Sequence, residues 1–147
     1  MAQNYMQFSE VIDNLTVEEH DWFKKALALN DDGCYDDGVE PPAWWDDSTE
    51  SFGFEYDLGQ SEIQFYSEEY GNIDTVQALV SEFISLFRKD YVFTLSWSES
   101  CSKMRVGEFG GGGGMIVTLD ETRFQNVWGW LQSEKKRITE SRLSESL

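Results

Sequence analysis

Hydrophobic positions recur with two different periods along the chain, and these periods predict its strands and helices. Residues 51–58 (SFGFEYDL) place apolar side chains at every second position, which is typical of a half-buried strand. The turn residues LGQS and the segment EIQFY that follow predict the second strand of a hairpin. Residues 91–98 (YVFTLSWS) also alternate and predict a third strand, and the short apolar run at 115–119 (MIVTL) predicts a fourth.

Helical spacing recurs in three places. Near the N-terminus, Thr16 and Glu19 form a capping-box pattern, in which each side chain satisfies a free backbone N–H group, and an apolar stripe follows in residues 22–27. Residues 76–87 carry apolar side chains at i, i+3, i+4, i+7, i+8 and i+11, the strongest amphipathic pattern in the chain.

Capping pairs predict where the second and third helices begin. Asp74 with Gln77 opens the second, and Thr122 with Gln125 opens the third. The apolar face predicted for the third helix consists of Phe124, Val127, Trp128 and Leu131.

The element order is therefore an N-terminal helix followed by ββαββα. Hairpin neighbours pair antiparallel, so we predict an α+β fold, a two-layer sandwich in which both later helices cover one face of a four-stranded antiparallel sheet. The 147 residues fit a single domain, with an N-terminal helix in 1–30, an acidic connector in 31–50, the ββαββα core in 51–134 and a frayed tail in 135–147.

Charge divides the chain into two unequal parts. The net charge is −17, but residues 1–87 carry −18 and residues 88–147 carry +1. No lysine or arginine occurs in residues 26–87. Such a negative charge repels nucleic acid and anionic membranes and attracts basic protein surfaces. In the alternative interpretation, the acidity only keeps the protein soluble.

The acidic connector is the predicted partner-binding segment. Its Gly, Asp and Pro content indicates turns and extended chain. Trp44 and Trp45 would anchor a partner if exposed, because aromatic side chains dominate interface energetics, or they fold back onto the core. The predicted binding residues are Asp31, Asp32, Asp36, Asp37, Trp44, Trp45, Asp46 and Asp47.

A run of five glycines, 110–114, precedes the fourth predicted strand. A phosphate-binding loop would end in Gly-Lys-Ser/Thr and lead into a helix, and neither feature is present. The run is interpreted as a flexible hairpin connection or as a backbone contact surface that another chain approaches closely. The loop residues of interest are Cys101, Lys103, Arg105, Phe109, Gly110, Gly111 and Gly112.

The segment CSKMRVGEFGGGGG (101–114) resembles a pattern in small acidic proteins of bacteria, their phages and mobile elements, in which Cys-Ser-Lys-Pro-Arg precedes Phe-Gly-Gly-Gly. Met104 departs from the proline of that pattern. The resemblance supplies no catalytic residues, since the family has no settled activity. It implies a bacterial or phage origin and an interaction role.

Few residues offer catalytic or metal-binding chemistry. His20 is the single histidine and is expected on the polar side of the first helix. Cys101 could be activated as a nucleophile by Lys103 or Arg105, but it lacks a base partner. The spacing of DDGCYDDG fails the EF-hand pattern, and two distant cysteines with one histidine do not make a zinc site, so we expect no metal and no cofactor.

These observations favour a cytoplasmic, non-enzymatic acidic module that binds a basic protein and neither nucleic acid nor membrane directly. A DNA mimic or anti-defence inhibitor of a nucleic-acid-binding protein is the narrower form of this hypothesis, and an immunity-type toxin neutraliser is its near variant. A small ligand-binding or enzymatic domain using the 101–114 loop is the second hypothesis. A homodimer formed through a strand edge or the tryptophans is the third.

Overall fold

The computed structural model describes residues 4–29, 34–42, 44–45, 52–69, 71–101 and 111–145. These residues form six strands and three helices. In chain order the elements are β1 (Asn4–Ile12), α1 (Val17–Ala26), β2 (Glu55–Leu58), β3 (Ile63–Ser67), α2 (Ile73–Phe87), β4 (Phe93–Cys101), β5 (Gly112–Val117), β6 (Thr122–Asn126) and α3 (Val127–Glu145). No helix among them is long and apolar enough to cross a membrane.

All six described strands belong to one antiparallel sheet with the order β2-β3-β1-β4-β5-β6. The α+β class is confirmed, but the prediction of a four-stranded sheet is wrong. The two additional strands are β1, which lies between the β2–β3 hairpin and β4, and β6, which forms the far edge.

Strand β1 was not predicted, because one residue interrupts its alternation of apolar and polar positions. Met6, Phe8 and Ile12 alternate as a strand requires, but Glu10 interrupts the alternation. The pairing partners of β1 are distant in sequence, with Phe8 opposite both Ser67 and Trp97. Pairing between strands so distant in sequence leaves no local pattern from which β1 could be predicted.

Strand β6 takes the place of the predicted first turn of the third helix. Residues 122–126 pair with β5, and the helix begins at Val127, where the Asn126 side-chain oxygen accepts a hydrogen bond of 2.5 Å from the Gly129 backbone N–H. The prediction that this helix starts at Thr122 and covers the sheet is wrong, because none of the residues of α3 is buried. Helix α3 also includes most of the segment 135–147 that was expected to be frayed.

The predicted helix α1 is confirmed with its capping box. The Thr16 hydroxyl accepts a hydrogen bond from the Glu19 backbone N–H, and the Glu19 carboxylate accepts one from the Thr16 backbone N–H. Helix α2 is confirmed in its apolar face, but its cap is Asn72 rather than Asp74 with Gln77, since the Asn72 side chain accepts from the first free N–H groups.

The core lies between one face of the sheet and helices α1 and α2. Phe65 of β3, Phe93 of β4 and Phe83 of α2 are almost completely inaccessible to solvent. Phe23 of α1 stacks on Phe83 with 4.8 Å between ring centroids and meets Phe65 edge-on. The aromatic residues of two helices thus interlock over the central strands.

Glu19 and Arg88 form a nearly buried ion pair that joins the start of α1 to the end of α2. The Arg88 Nε donates to the Glu19 Oε2 at 2.8 Å, and its Nη2 donates to the carbonyl oxygens of Asp13 and Asn14 at 2.9 and 3.0 Å. Burial acts to raise the pKa of Glu19, but the hydrogen bonds from Arg88 and Thr16 outweigh it and hold that pKa below its ordinary value.

Three of the five glycines are strand residues rather than a flexible connection. Gly112, Gly113 and Gly114 pair with β4, and the last two also pair with β6. Gly112 has φ +134°, and a Cβ there would lie 2.1 Å from the Trp97 carbonyl oxygen. The hairpin interpretation is therefore wrong for residues 112–114, and the predicted close backbone approach comes from the chain's own strands.

The indole of Trp97 lies against Gly113. A Cβ on Gly113 would lie 2.7 Å from the Trp97 Cζ2 and 2.3 Å from the Gln125 carbonyl oxygen. The indole N–H of Trp97 is buried and finds no hydrogen-bond acceptor among the described residues. As far as the described residues go, the ring is therefore held by packing.

We expect Gly113→Ala to lower the free energy of unfolding by about 2–3 kcal/mol, because the new methyl group would collide with backbone and with the Trp97 ring. Gly114→Ala is the matched control, since the nearest atom to its Cβ would be the Leu95 carbonyl oxygen at 3.8 Å, and we expect a change below about 0.5 kcal/mol. Urea unfolding measures both. Equal stabilities of the two variants would contradict the packing described for Gly113.

We expect Arg88→Met to cost about 2–3 kcal/mol, because it leaves the buried Glu19 carboxylate without its charged donor. Arg123→Met, which breaks the exposed pair with Glu121, should cost less than about 0.5 kcal/mol. Since the folded pKa of Glu19 is lowered, its contribution is present above about pH 4.5 and is lost as the pH falls through that folded pKa. The difference between wild type and Arg88→Met should therefore shrink in acid, as chemical unfolding at several pH values would measure.

Candidate functional site

The connector tryptophans fold back onto the core. The ring centroids of Trp45 and Phe52 are 5.4 Å apart, and the Trp44 Nε1 donates to the Glu82 Oε2 of helix α2 at 3.1 Å. Both tryptophans are half-buried. Of the two alternatives left open by the sequence, the structure therefore favours packing on the core over fully exposed anchors.

Tyr35 fastens the same connector to helix α1. Its hydroxyl donates to the Ala26 carbonyl oxygen, and its ring meets Trp45 edge-on with 5.2 Å between centroids. Burial, followed by the negative charge of Glu82, raises the pKa of Tyr35 to about 12. Tyr35, Trp44 and Trp45 thus anchor the described part of the connector to the rest of the protein.

The structure describes only some of the other predicted site residues. Asp36 and Asp37 are exposed, Cys101 ends β4, Gly111 precedes β5 and Gly112 begins it. His20 is partly exposed on α1, as expected, with its Nδ1 3.9 Å from the Asp21 Oδ1. The predicted site residues that lie outside the described residues are Asp31, Asp32, Asp46, Asp47, Lys103, Arg105, Phe109 and Gly110.

The face of the sheet opposite α1 and α2 is mostly polar, and none of the described elements covers it. Thr94, Ser96 and Ser98 of β4 are exposed on it, together with Ser9 of β1. A shallow depression of about 880 Å³ crosses the β4–β6 part of this face and is bordered by one acidic and one basic side chain, Glu10 and Arg123. This part of the open face is close to neutral.

A second depression, of about 580 Å³, lies toward the β2 edge of the sheet and is strongly acidic. We refer to it as the acidic groove. It is lined by Ser9, Glu10, Val11, Asp57, Leu58, Gly59, Glu62 and Gln64. Three of these side chains are carboxylates and none is basic.

Two strands and a turn position the groove. The Gly59 backbone N–H donates to the Glu62 carbonyl oxygen at 2.8 Å and closes the β2–β3 turn, which brings Asp57 and Glu62 to the same end of the hairpin. Strand β1 supplies the opposite wall, where the Gln64 Nε2 donates to the Ser9 Oγ at 2.7 Å. Partly exposed Val11 gives the groove an apolar patch.

The groove carboxylates are not neutralised by the described part of the protein. Neither Glu10 nor Asp57 nor Glu62 forms an ion pair with a described basic side chain, and the Glu10 Oε1 accepts a hydrogen bond of 3.1 Å from the Val11 backbone N–H. Among the described residues no three His, Cys, Asp or Glu side chains are grouped closely enough to hold a metal ion. The groove therefore offers separate anionic acceptors to a cationic ligand.

The pKa of Tyr66 in β3 is sensitive to the negative charges around it. Partial burial, and then the charges of Asp57, Glu55 and Glu68, raise the pKa of its phenol. Glu55 and Asp57 lie directly opposite Tyr66 and Gln64 on the open face of the β2–β3 pair. The acidic edge thus continues past the groove along β2.

From the sequence, these carboxylates are predicted only as part of the overall acidity. A signal for them exists, because Glu55 and Asp57 occupy the polar positions of the predicted strand at residues 51–58. The wall formed by β1 had no comparable signal, since β1 itself was not predicted.

Comparisons with protein-family models, with curated proteins and with solved structures found no match to this chain. The resemblance of residues 101–114 to small acidic bacterial and phage proteins therefore stays a prediction.

We expect Asp57→Asn to shift the pKa of Tyr66 back toward its ordinary value, because among the neighbouring charges that of Asp57 raises this pKa most. Added salt should act in the same direction by screening. Titration followed by ¹³C NMR of the tyrosine rings measures the change. Asp36→Asn, in the connector, is the control and should leave the pKa of Tyr66 unchanged. If Asp57→Asn also leaves this pKa unchanged, the described effect of Asp57 on the phenol is refuted.

Proposed function

We propose that this chain is a non-catalytic binding module that holds a basic segment of another protein in the acidic groove. The observation that carries the proposal is the set of three groove carboxylates, Glu10, Asp57 and Glu62, without a described basic partner. Leaving like charges unneutralised in one depression is unfavourable for the isolated protein, and a ligand with lysine or arginine side chains relieves it.

The shape of the site fits an extended segment. Among the described strands, β2 lies at the edge of the sheet, pairs with β3 alone and is four residues long. Its outer edge carries backbone groups that an added strand can use, while alternate side chains of that strand reach one face. Arginine or lysine at every second position would then lie over Glu55 and Asp57.

The chemistry of the groove supports binding rather than catalysis. Its described side chains are carboxylates, a hydroxyl, an amide and aliphatic groups, and they include no histidine, cysteine or lysine to act as nucleophile or partner base. A nucleic-acid-binding protein is one class of basic partner with suitable chemistry, and for it the carboxylates would stand in for phosphates.

We expect Asp57→Asn with Glu62→Gln to weaken binding of an octa-arginine peptide by about three- to tenfold at low salt, as isothermal titration calorimetry would measure, because each exposed ion pair contributes about 0.2–1 kcal/mol. The affinity of the wild type should also fall as salt is added.

Asp36→Asn with Asp37→Asn is the matched control for that experiment, because it removes the same two charges from the connector. A weakening confined to the groove variant supports the proposal. Equal weakening in both variants would indicate a non-specific effect of net charge. A larger effect in the connector variant would indicate that the peptide binds at the connector residues predicted from the sequence.

A further inference from the structure

The larger depression on the open face, of about 880 Å³, lies across strands β4, β5 and β6. Residues that pair across neighbouring strands have their side chains on the same face, so the strand register defines two rows here. Each row has one residue from each strand, and the rows are Ser96, Gly114 and Gln125, and Thr94, Ile116 and Arg123. The first row is low at its centre because Gly114 has no side chain. We refer to this depression as the central trough.

The described fold does not require a glycine at position 114. A Cβ on Gly112 or Gly113 would collide with a carbonyl oxygen of a neighbouring strand. A Cβ on Gly114 would have the Leu95 carbonyl oxygen as its nearest neighbour, at an ordinary 3.8 Å, and the φ of Gly114 is not in the left-handed region. Glycine inside a strand lowers stability and often marks a position that a ligand or another backbone approaches closely. Gly114 therefore indicates contact from the open face.

The central trough is continuous with the acidic groove. Glu10 borders both depressions, which together extend from the β2–β3 turn to β6. Between β1, which carries Glu10, and β6, which carries Arg123, the sheet order leaves three strand spacings, or about 14 Å. An extended chain covers this distance in about four residues.

The charge changes sign along this path. The acidic groove is lined by three carboxylates, whereas Arg123 is the one basic side chain among the described residues that line the central trough. The Arg123 Nε donates to the Glu121 Oε2 at 3.1 Å, and both side chains are largely exposed. Such an exposed pair contributes little energy, so a carboxylate from a ligand can replace or join Glu121 at low cost. A complementary ligand is thus basic over the groove and acidic over Arg123.

We infer, resting on the function proposed above, that the segment held in the acidic groove is an extended polypeptide that continues through the central trough. Its basic side chains lie over the groove, and an acidic side chain about four residues beyond the basic residue nearest Glu10 pairs with Arg123. The proposed function accounts for the basic part of the ligand alone. The inference adds the remainder of the ligand and makes its charge pattern, rather than its net charge, the basis of recognition.

The trough supplies contacts for the backbone of such a segment. The absence of a side chain at Gly114 allows another chain to approach the sheet closely at this point. The hydroxyls of Thr94 and Ser96 and the amide of Gln125 can each donate to or accept from peptide groups. These contacts do not depend on the sequence of the ligand, so its charged residues determine specificity.

Peptides of equal composition separate charge pattern from net charge. The patterned peptide has three arginines, three serines and one aspartate in that order, with both ends blocked, and in the permuted peptide the aspartate stands between the second and third arginines. We expect the patterned peptide, in one of its two chain directions, to bind about threefold more tightly at low salt, as isothermal titration calorimetry would measure, because it gains one exposed ion pair. Equal affinity of the permuted peptide and of both directions of the patterned one would overturn the inference.

Exchange of charge between ligand and protein tests the role of Arg123. Relative to the wild type, Arg123→Glu should change the ratio of the two affinities by about tenfold in favour of a peptide in which arginine replaces the aspartate. Arg137→Glu is the matched control, because Arg137 is also exposed and paired with a nearby glutamate, Glu134, but lies in α3. It should change the ratio by less than about twofold, and an equal change in both variants would contradict the assignment of Arg123.

A side chain at position 114 tests the path of the ligand. Gly114→Leu should weaken binding of the patterned peptide by about fivefold or more, because the new side chain occupies the trough. Blocked tri-arginine is too short to reach the trough from the groove and should bind as before. Ser85→Leu adds the same side chain at an exposed position of α2 and should have no effect on either peptide. Urea unfolding verifies that both variants are folded.

The outcomes distinguish this inference from the function on which it rests. If Gly114→Leu and Arg123→Glu leave binding of the patterned peptide unchanged, while Asp57→Asn with Glu62→Gln weakens it, the inference is overturned and the acidic groove is retained. If the groove variant has no effect either, both are overturned. Weaker binding of tri-arginine to Gly114→Leu would put the basic part of the ligand in the trough and would also overturn the inference.

Discussion

The central position of strand β1 is the constraint on which the rest of the structure depends. It is hydrogen-bonded to β3 on one side and to β4 on the other, and without it the sheet would fall into a two-stranded hairpin and a three-stranded meander. Two-stranded hairpins are marginal in water. Strand β1 also carries Phe8 and Ile12 into the core and presents Ser9 and Val11 on the open face, so the fold and the acidic groove use its two sides.

The two edges of the sheet have different chemistry. Strand β2 ends the sheet with carboxylates and a polar face, whereas β6 ends it with Phe124 and a helix rich in exposed tryptophan and lysine. Edge strands invite pairing with other chains, and charge is one of the means by which proteins control that pairing. The two edges of the sheet thus differ both in charge and in exposed apolar surface.

The elements that bury a regularly spaced apolar face could be predicted from local sequence patterns. Helix α2, the capping box at Thr16 and the β2–β3 hairpin could all be predicted, because the information lies within a few neighbouring residues. Strand β1 could not, since Glu10 interrupts its alternation and its partners are more than fifty residues away. Strand β6 was mistaken for helix because Phe124 and Val127 happen to have helical spacing. The acidic groove is assembled from β1, β2 and β3 and could not be found before β1 was placed.

The contrast between Trp97 and the tryptophans of α3 has an optical consequence. The Trp97 indole is enclosed by apolar side chains and its N–H has no acceptor among the described residues, so its fluorescence should be emitted at short wavelength. Trp128 and Trp130 face water and should emit further to the red. The spectrum of the intact protein therefore includes an interior contribution from the β4–β5 pair and an exterior one from α3.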